Sequence, residues 1–550
     1  MIVKMQHLDI VCVADEKEAT LKRLRDLGAV HLDLSSANGP AVEEAKGDAA
    51  DAETAVRIIL KARKETGEPP IEGMLFSASV PEILALQDKA DALKGDAESI
   101  SRGIAKYEPY GDFDPALAKK LLDLGIDLKS LAEIPDQLPE KRLSEMRADL
   151  ARAEREIAEI KKSLSQVDEK TIVADFPGLG DRIAFEAARE LMSSHGAVAC
   201  ISGWIPGPQV DRLRACARDF AWGVLLRAPA EGETPPTLVE PPRLFRPMKA
   251  LFDGLGIAPA YAEADVSVPF MCYFSLFFAM LVGDGAYGAI FLAGTLAMRK
   301  KLPKSWFILL AVFSSATVLW GLLSNTWFGA GIPACANWPT VKWLADPSYH
   351  NMMLLCFTIG VSHLMLARIW NGICRFPDST AIAEFGWAGV LLFMYLVTNS
   401  IIGIFSGIPT WGFWVLGASV VAVFGFSVKP SELKTRGAEL GMLPLSIMSA
   451  LGDIISYVRL FAVGLASVKV AENFNSMATG LVSSENALWL NILMSIAMVL
   501  ILVVGHGLNL AMAGLSVLVH AVRLNTLEFS NHKGVSWAGY AFRPFRRKTT

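Results

Sequence analysis

Arg459 and Arg523 each lie inside a long apolar stretch in the C-terminal half of a 550-residue chain. A guanidinium is permanently charged, and placing one in a bilayer costs roughly 3 kcal/mol on insertion scales and about 10–17 kcal/mol in simulations. Such a residue persists where it meets a carboxylate, a water-filled cavity or an ion path. Two of them, in the last two apolar stretches, point to a membrane site that uses fixed positive charge. Ion movement is the leading reading.

The polar residues around the arginines share faces. Counting back from Arg523, His520, Ser516, Asn509 and Gly505 follow at offsets of 3, 4, 7 and 4. That is one stripe of an α-helix, with His506 a turn before Asn509. In the preceding stretch Asp453, Ser456 and Arg459 follow in steps of three, and Asn473 lies fourteen positions beyond Arg459. Ala462, Gly464 and Ala466 let another helix approach the arginine closely. Hydroxyls, amides and imidazoles hold water in a dry region, as a path for H+ or Na+ requires, and the arginine needs a carboxylate partner. The only acid near the final stretch is Glu528, at its far end. Either Asp453 pairs with Arg459, or the carboxylate belongs to another subunit. The bland alternative is that the arginines sit near helix ends and snorkel to the interface. It carries more weight for Arg523, which Glu528 and His532 soon follow, than for Arg459.

Asp284 is a second intramembrane acid, set among Gly283, Gly285 and Gly288. Glycines at this density suggest close helix packing, and a structural role outweighs transport there. His363 and Lys469 are lone intramembrane polar residues, of the kind more often satisfied locally.

These residues need membrane helices to carry them. The chain is 52% hydrophobic, with a mean hydropathy of +0.36, too apolar for an ordinary soluble enzyme. No Asp, Glu, Lys or Arg occurs in 305–341, 385–428 or 486–522. Each run exceeds the roughly 20 residues that span a hydrocarbon core as a helix. Seven apolar stretches are visible, near 268–298, 305–331, 350–372, 384–406, 410–428, 441–475 and 486–523. The charge-free part of the last would be about 55 Å long as one helix, so it predicts strong tilt, a break at Gly505 or Gly507, or two spans. Seven spans would put the termini on opposite sides, and an even count of about eight is expected. The basic loops do not settle the orientation, because Arg299–Lys304, Arg368–Arg375, Lys429–Arg436 and Arg543–Lys548 are all cationic.

Residues 1–245 are charge-dense. Lys4–Val13 alternates like a strand, Glu16–Leu27 reads as a helix and Val30–Leu34 as a strand. Apolar residues then recur every three or four positions in Val42–Ile59, Ile83–Ile104 and Leu143–Val167, which predicts long heptad-patterned helical arms. Lys170–Asp175, Ala197–Trp204 and Trp222–Leu226 look like strands, and Ile183–Met192 and Pro208–Asp219 like helices. The expected fold is mainly α. It has cytoplasmic α/β lobes near 1–36 and 170–228 joined by helical arms over 41–168. A linker follows at 246–267, then a polytopic membrane domain over 268–530 and a basic tail at 531–550. The charged, alternating N-terminus is no signal peptide, so residues 1–245 are expected in the cytoplasm. Net charge of −4 without a basic stripe argues against nucleic acid. Seven scattered cysteines give no metal or disulfide pattern. No cofactor is expected, and no phosphate-binding loop or hydrolase motif is present.

Leu451-Gly-Asp-Ile-Ile-Ser-Tyr-Val-Arg-Leu-Phe-Ala-Val-Gly-Leu465 resembles the arginine-bearing helix of the membrane stator subunit of V/A-type rotary ATPases. That subunit is called I in prokaryotes and a in eukaryotes. Gly505-His-Gly-Leu-Asn509, followed by Val519-His-Ala-Val-Arg-Leu-Asn-Thr-Leu-Glu-Phe529, is similar to its final helix. Pro259–Asp265 with Phe277–Gly288 resembles its entry and first membrane helix. Two positions depart from the pattern. Ala513 stands where eukaryotic members often carry a Glu, and Val266 where a Pro usually follows the entry Asp.

The resemblance implies a non-catalytic stator of an ATP-driven ion pump or synthase, with no nucleotide site in this chain. Arg459 and Arg523 would face a rotating proteolipid ring whose carboxylates carry H+ or Na+. Asp453, Ser456, Asn473, His506, Asn509, Ser516, His520 and Glu528 would line or border the half-channels. The missing carboxylate would then lie on the ring. The implied partners are the ring, the peripheral stalks, the central-stalk connector and the bilayer, and the implied location is a prokaryotic plasma membrane. A stand-alone secondary transporter is the competing reading. It predicts inverted repeats, which are not visible, and leaves the long N-terminal arm unexplained.

Overall fold

A computed structural model describes residues 1–67, 77–124, 135, 137–230, 232–333, 338–344, 348–428, 433–481 and 488–547. Cys335, part of the basic loop at 429–436 and the first residues of the stretch beginning at 486 lie outside them. The chain divides into two compact units, one of Met5–Ala230 with Arg543–Thr550, the other of Met1–Lys4 with Glu231–Phe542.

The first unit holds one antiparallel sheet in the order β2-β3-β1-β4, from β1 (Met5–Val13), β2 (Ser193–His195), β3 (Val198–Pro206) and β4 (Gly223–Arg227). The central strand β1 pairs with both β3 and β4, so segments nearly two hundred residues apart share one sheet. Alternation in β1 sends Leu8, Ile10 and Cys12 into a core with Leu21 and Leu24 of α1 (Lys17–Leu27). Val30–Leu34, expected as a strand, makes one two-way bridge, between His31 and Trp204, both bonds 2.8 Å. Gly203 admits it, since a Cβ there would lie 2.6 Å from the His31 carbonyl. The Val30 carbonyl instead takes the Phe545 N–H.

Four long helices follow: α2 (Pro40–Thr66), α3 (Val80–Tyr107), α5 (Leu143–Ser165) and α6 (Glu169–Leu191), with short α4 (Pro115–Asp123) between the second and third. Ala52, Ala55, Ile59, Ile83, Ala90, Ile160 and Leu164 meet in their core. Ser79 and Glu82 close a capping box on α3. Lys170–Asp175, expected as a strand, is the first part of α6. The reason is its corner. Asp168 caps the helix, and Arg63 of α2 pairs with Glu169 while donating to the carbonyls of Ser165 and Val167. α7 (Val210–Asp219) completes the unit.

The second unit begins with α8 (Met248–Leu255), then α9 (Ser267–Val282) and α10 (Gly285–Ala297), which meet at a 120° bend. Gly283 occupies the left-handed region there (φ +71°), and a Cβ on it would press on the Gly464 carbonyl at 3.2 Å. α11 (Lys304–Ser324) packs on α10 through Gly321 and Gly285, whose backbones leave no room for a side chain. Then come α12 (Pro339–Leu344), α13 (His350–Arg375), α14 (Thr380–Ile401), α15 (Thr410–Phe426), α16 (Leu433–Ile455), α17 (Val458–Thr479), α18 (Leu488–Ser516) and α19 (Ser530–Lys533). Among the described residues, five helices are long and apolar enough to cross a membrane, or six if the bent α9–α10 pair is one span. This identifies a membrane protein, though by this count the expected eight spans are not reached. The predicted break at Gly505 or Gly507 is absent, for the helix runs on through both. Gly505 instead lies against the Phe474 ring, 2.4 Å from where its Cβ would stand.

Candidate functional site

Two segments of π-helix, Val517–Ala521 and Leu524–Phe529, continue α18 and flank Arg523. Residues five apart on an α-helix lie about 140° apart around the axis, whereas a π turn, bonded i to i+5, brings them onto one side. Glu528 is five residues after Arg523, and its Oε1 lies 3.6 Å from Arg523 Nε. The same oxygen is 3.9 Å from Arg459 Nη1. One carboxylate of this chain thus sits between the two arginines. Side chains take the carbonyls that the widened turns loosen. Asn525 donates to Ala521 O at 3.0 Å, Thr526 to Val522 O at 2.9 Å and Ser530 to Asn525 O at 2.8 Å.

Glu528 is 5% exposed in its side chain, Arg459 21% and Arg523 53%. Arg459 lies in the first turn of α17, where the helix dipole disfavours a cation and sharpens its need for an anion. Yet the pairs are long. Arg459 Nη1 and Glu528 Oε2 are buried with no hydrogen-bond partner, as is His520 Nδ1, and His520 is within electrostatic reach of both guanidiniums. Two guanidiniums against one carboxylate leave one net positive charge.

Asp453 does not pair with Arg459; its Oδ2 bonds His532 Nε2 at 3.0 Å. Ser456 turns its hydroxyl back to Gly452 O, at the joint between α16 and α17. Ser516, half-buried, ends α18.

A second polar cluster lies further back along α18. His506 bonds the Tyr287 hydroxyl through Nδ1 (2.8 Å) and Asn475 Oδ1 through Nε2 (3.1 Å). Asn509 Nδ2 donates to Ser467 O (2.8 Å) and to the Tyr287 hydroxyl (3.0 Å), while its Oδ1 accepts from Ser467 Oγ (3.2 Å). Asn473, a half-channel candidate, is exposed, and Asn475, two residues on, is the asparagine that meets His506. Asp284 caps α10, accepting from Ala286 N at 2.8 Å, and its other oxygen holds Gly329 N at 2.9 Å. Gly288 brings α10 so close to α11 that a Cβ would lie 2.8 Å from Val318 N. His363 is stacked between Tyr273 and Phe529.

Tyr287, Ser467 and Asn475 are not singled out by the sequence, and neither are Arg368, Glu384 or His532. Tyr, Ser and Asn carry no charge to flag them in an apolar run, and the charged residues sit near helix ends, where solvation is the ordinary reading.

The fold and site define a polytopic membrane protein in which two helices converge on an arginine–glutamate–arginine cluster. The chain is a homologue of subunit I of V-type and A-type ATP synthases. It is 32% identical over 369 residues to V-type ATP synthase subunit I of Borreliella burgdorferi, covering 63% of this chain and 60% of that one. It is 28% identical to V-type ATP synthase subunit I 1 of Treponema pallidum, over 100% of both chains. A-type ATP synthase subunit I of Methanocaldococcus jannaschii is 24% identical over 74% of this chain and 64% of its own length. No family model matches.

Proposed function

We propose that this chain is the stationary ion-translocating subunit of a V/A-type rotary ATPase or synthase. The observation that carries the reading is the unequal charge of the site. Arg459 and Arg523 share Glu528, and the remaining positive charge lies on a helix whose apolar face is open. In Ile492–Lys533 only 11% of the most apolar window is buried, and Ile496, Leu500, Val503 and Leu515 stand exposed. A carboxylate arriving on a neighbouring helix would meet that charge and be drawn into its ionised form. A ring of small subunits, each with one acid, supplies such groups in succession. The arginines then make the acid release H+ or Na+ to one half-channel before it passes, and block a direct leak.

Asp453, Ser456, Ser516, His520 and Glu528 border this path in our reading, and the hydrogen-bonded His506–Asn509 cluster holds α18 to α10 and α17. The 42 residues of Ile492–Lys533 would measure about 63 Å, against a hydrocarbon core of about 30 Å, so the helix crosses steeply tilted along the ring. Eight passages would require α9, α10 and α15 each to count beside the five long helices. The unit built on β1–β4 and α2–α6 binds peripheral stalks from the cytoplasm, and the membrane is a prokaryotic plasma membrane. Nucleotide is hydrolysed or made elsewhere in the complex.

In the reconstituted complex, Arg459→Ala should abolish ATP-driven ion uptake into vesicles while the subunits still co-purify. Wild-type uptake by this variant would overturn the proposal.

A further inference from the structure

A line of charged side chains runs from the exposed end of α13 to Asp453. Arg375, half-exposed, pairs with Glu384 Oε1 at 2.8 Å, and Arg368 Nη1 meets Glu384 Oε2 at 3.1 Å. Arg368 Nε donates to His532 Nδ1 at 3.1 Å, and His532 Nε2 faces Asp453 Oδ2 at 3.0 Å. The bonding fixes the tautomer. An arginine N–H can only donate, so His532 Nδ1 must be the acceptor, and the single ring proton is on Nε2, given to Asp453. His532 is held neutral between a cation and an anion. Its backbone is pinned as well, for Asn371 donates to the carbonyls of His532 and Lys533.

We propose that His532 passes H+ between the aqueous side and Asp453, with Arg368 as the gate, so that the ion this protein carries is H+. This rests on the reading of the chain as the ion-translocating stator. When Arg368 draws back onto Glu384, Nδ1 is uncovered and takes a proton from water. The imidazolium then gives its Nε2 proton to Asp453, which becomes a neutral acid, and His532 is left as the Nδ1–H tautomer. The starting tautomer returns when Nδ1 releases its proton to water and Nε2 takes one up, so that one H+ has passed from water to Asp453 in each cycle, and the reverse sequence carries H+ outward. Asp453 is within electrostatic reach of Glu528. Hard cations take shells of oxygen ligands, whereas here a ring nitrogen capped by a guanidinium stands in the way.

The charged groups facing His532 are Arg368 and, more distantly, His363 from α13, Glu384 from α14 and Asp453 from α16. The test uses the whole complex in phospholipid vesicles, with ATP-driven acidification read by a pH dye. His532→Gln can still bridge Arg368 and Asp453 but cannot relay a proton. It should lose about a hundredfold in rate with subunit composition unchanged. His532→Ala should lose as much and recover on addition of imidazole. Arg368→Gln removes a positive charge beside the imidazolium, so the acid limb of the pH profile should move upward. A wild-type rate in His532→Gln, no rescue of His532→Ala by imidazole, or Na+ uptake without acidification would each overturn the relay. Arg459→Ala, run alongside, separates the two ideas. If it pumps normally, the stator reading fails; if it is dead while His532→Gln is normal, only the relay fails.

Discussion

The two polar clusters on the α18 helix obey opposite rules. Around His506 and Asn509 both imidazole nitrogens, the amide nitrogen and the amide oxygen all have protein partners at 2.8–3.2 Å. Around Arg459, Arg523 and Glu528 the contacts lengthen to 3.6–3.9 Å, and three buried polar atoms have no hydrogen-bond partner. A buried polar network that serves the fold is satisfied within it. In the function proposed here, one left partly unsatisfied, beside an uncovered helix face, receives a group from outside the chain. On that reading the same helix carries a fastening and a working site a few turns apart.

Breaking the working site should cost most. Glu528→Gln leaves the two guanidiniums without the carboxylate between them. We expect ATP-driven uptake to fall by orders of magnitude, and near-normal uptake would erase the contrast. Asn509→Ala strikes the fastening. It removes the amide's bonds to Ser467 and to the Tyr287 hydroxyl and should lower stability by about 1–3 kcal/mol, read as a lower melting temperature of the detergent-solubilised protein. Transport per folded complex should hold; a selective loss would move Asn509 into the path. Gly288→Ala forces a methyl against Val318 N and should cost about 1–3 kcal/mol in the same assay, with helix packing the only casualty. Asp284→Asn should affect transport least: Asn keeps the cap on α10, while its amide nitrogen cannot accept from Gly329 N, so the cost of about 1–3 kcal/mol falls on stability. Abolished transport in that variant would show that the Asp284 charge serves the ion.

The arginines were legible because a guanidinium in an apolar run has few explanations. Their partner was not. The stripe through His520, Ser516 and Asn509 assumes 3.6 residues per turn throughout, and the π segments change that register where Glu528 must align. Asn475 illustrates the same limit on a smaller scale, for only the approach of His506 marks it out among the polar residues of its helix. In the N-terminal unit, Val30–Leu34 has the composition of a strand but meets a neighbouring strand at His31 alone. Lys170–Asp175 has a strand's alternation but starts from a capped corner clamped by Arg63.

What the sequence determined alone is the division into a charged half and an apolar half, the helices of each, and the two arginines that need an anion. These follow from hydropathy and fixed charge, which act residue by residue. Tertiary structure decided that β1 joins β3 and β4, that Glu528 lies between Arg459 and Arg523, and that Arg368 and Asp453 fix the tautomer of His532. Each depends on groups far apart in the chain meeting within a few ångströms, and helix register and packing alone set such distances.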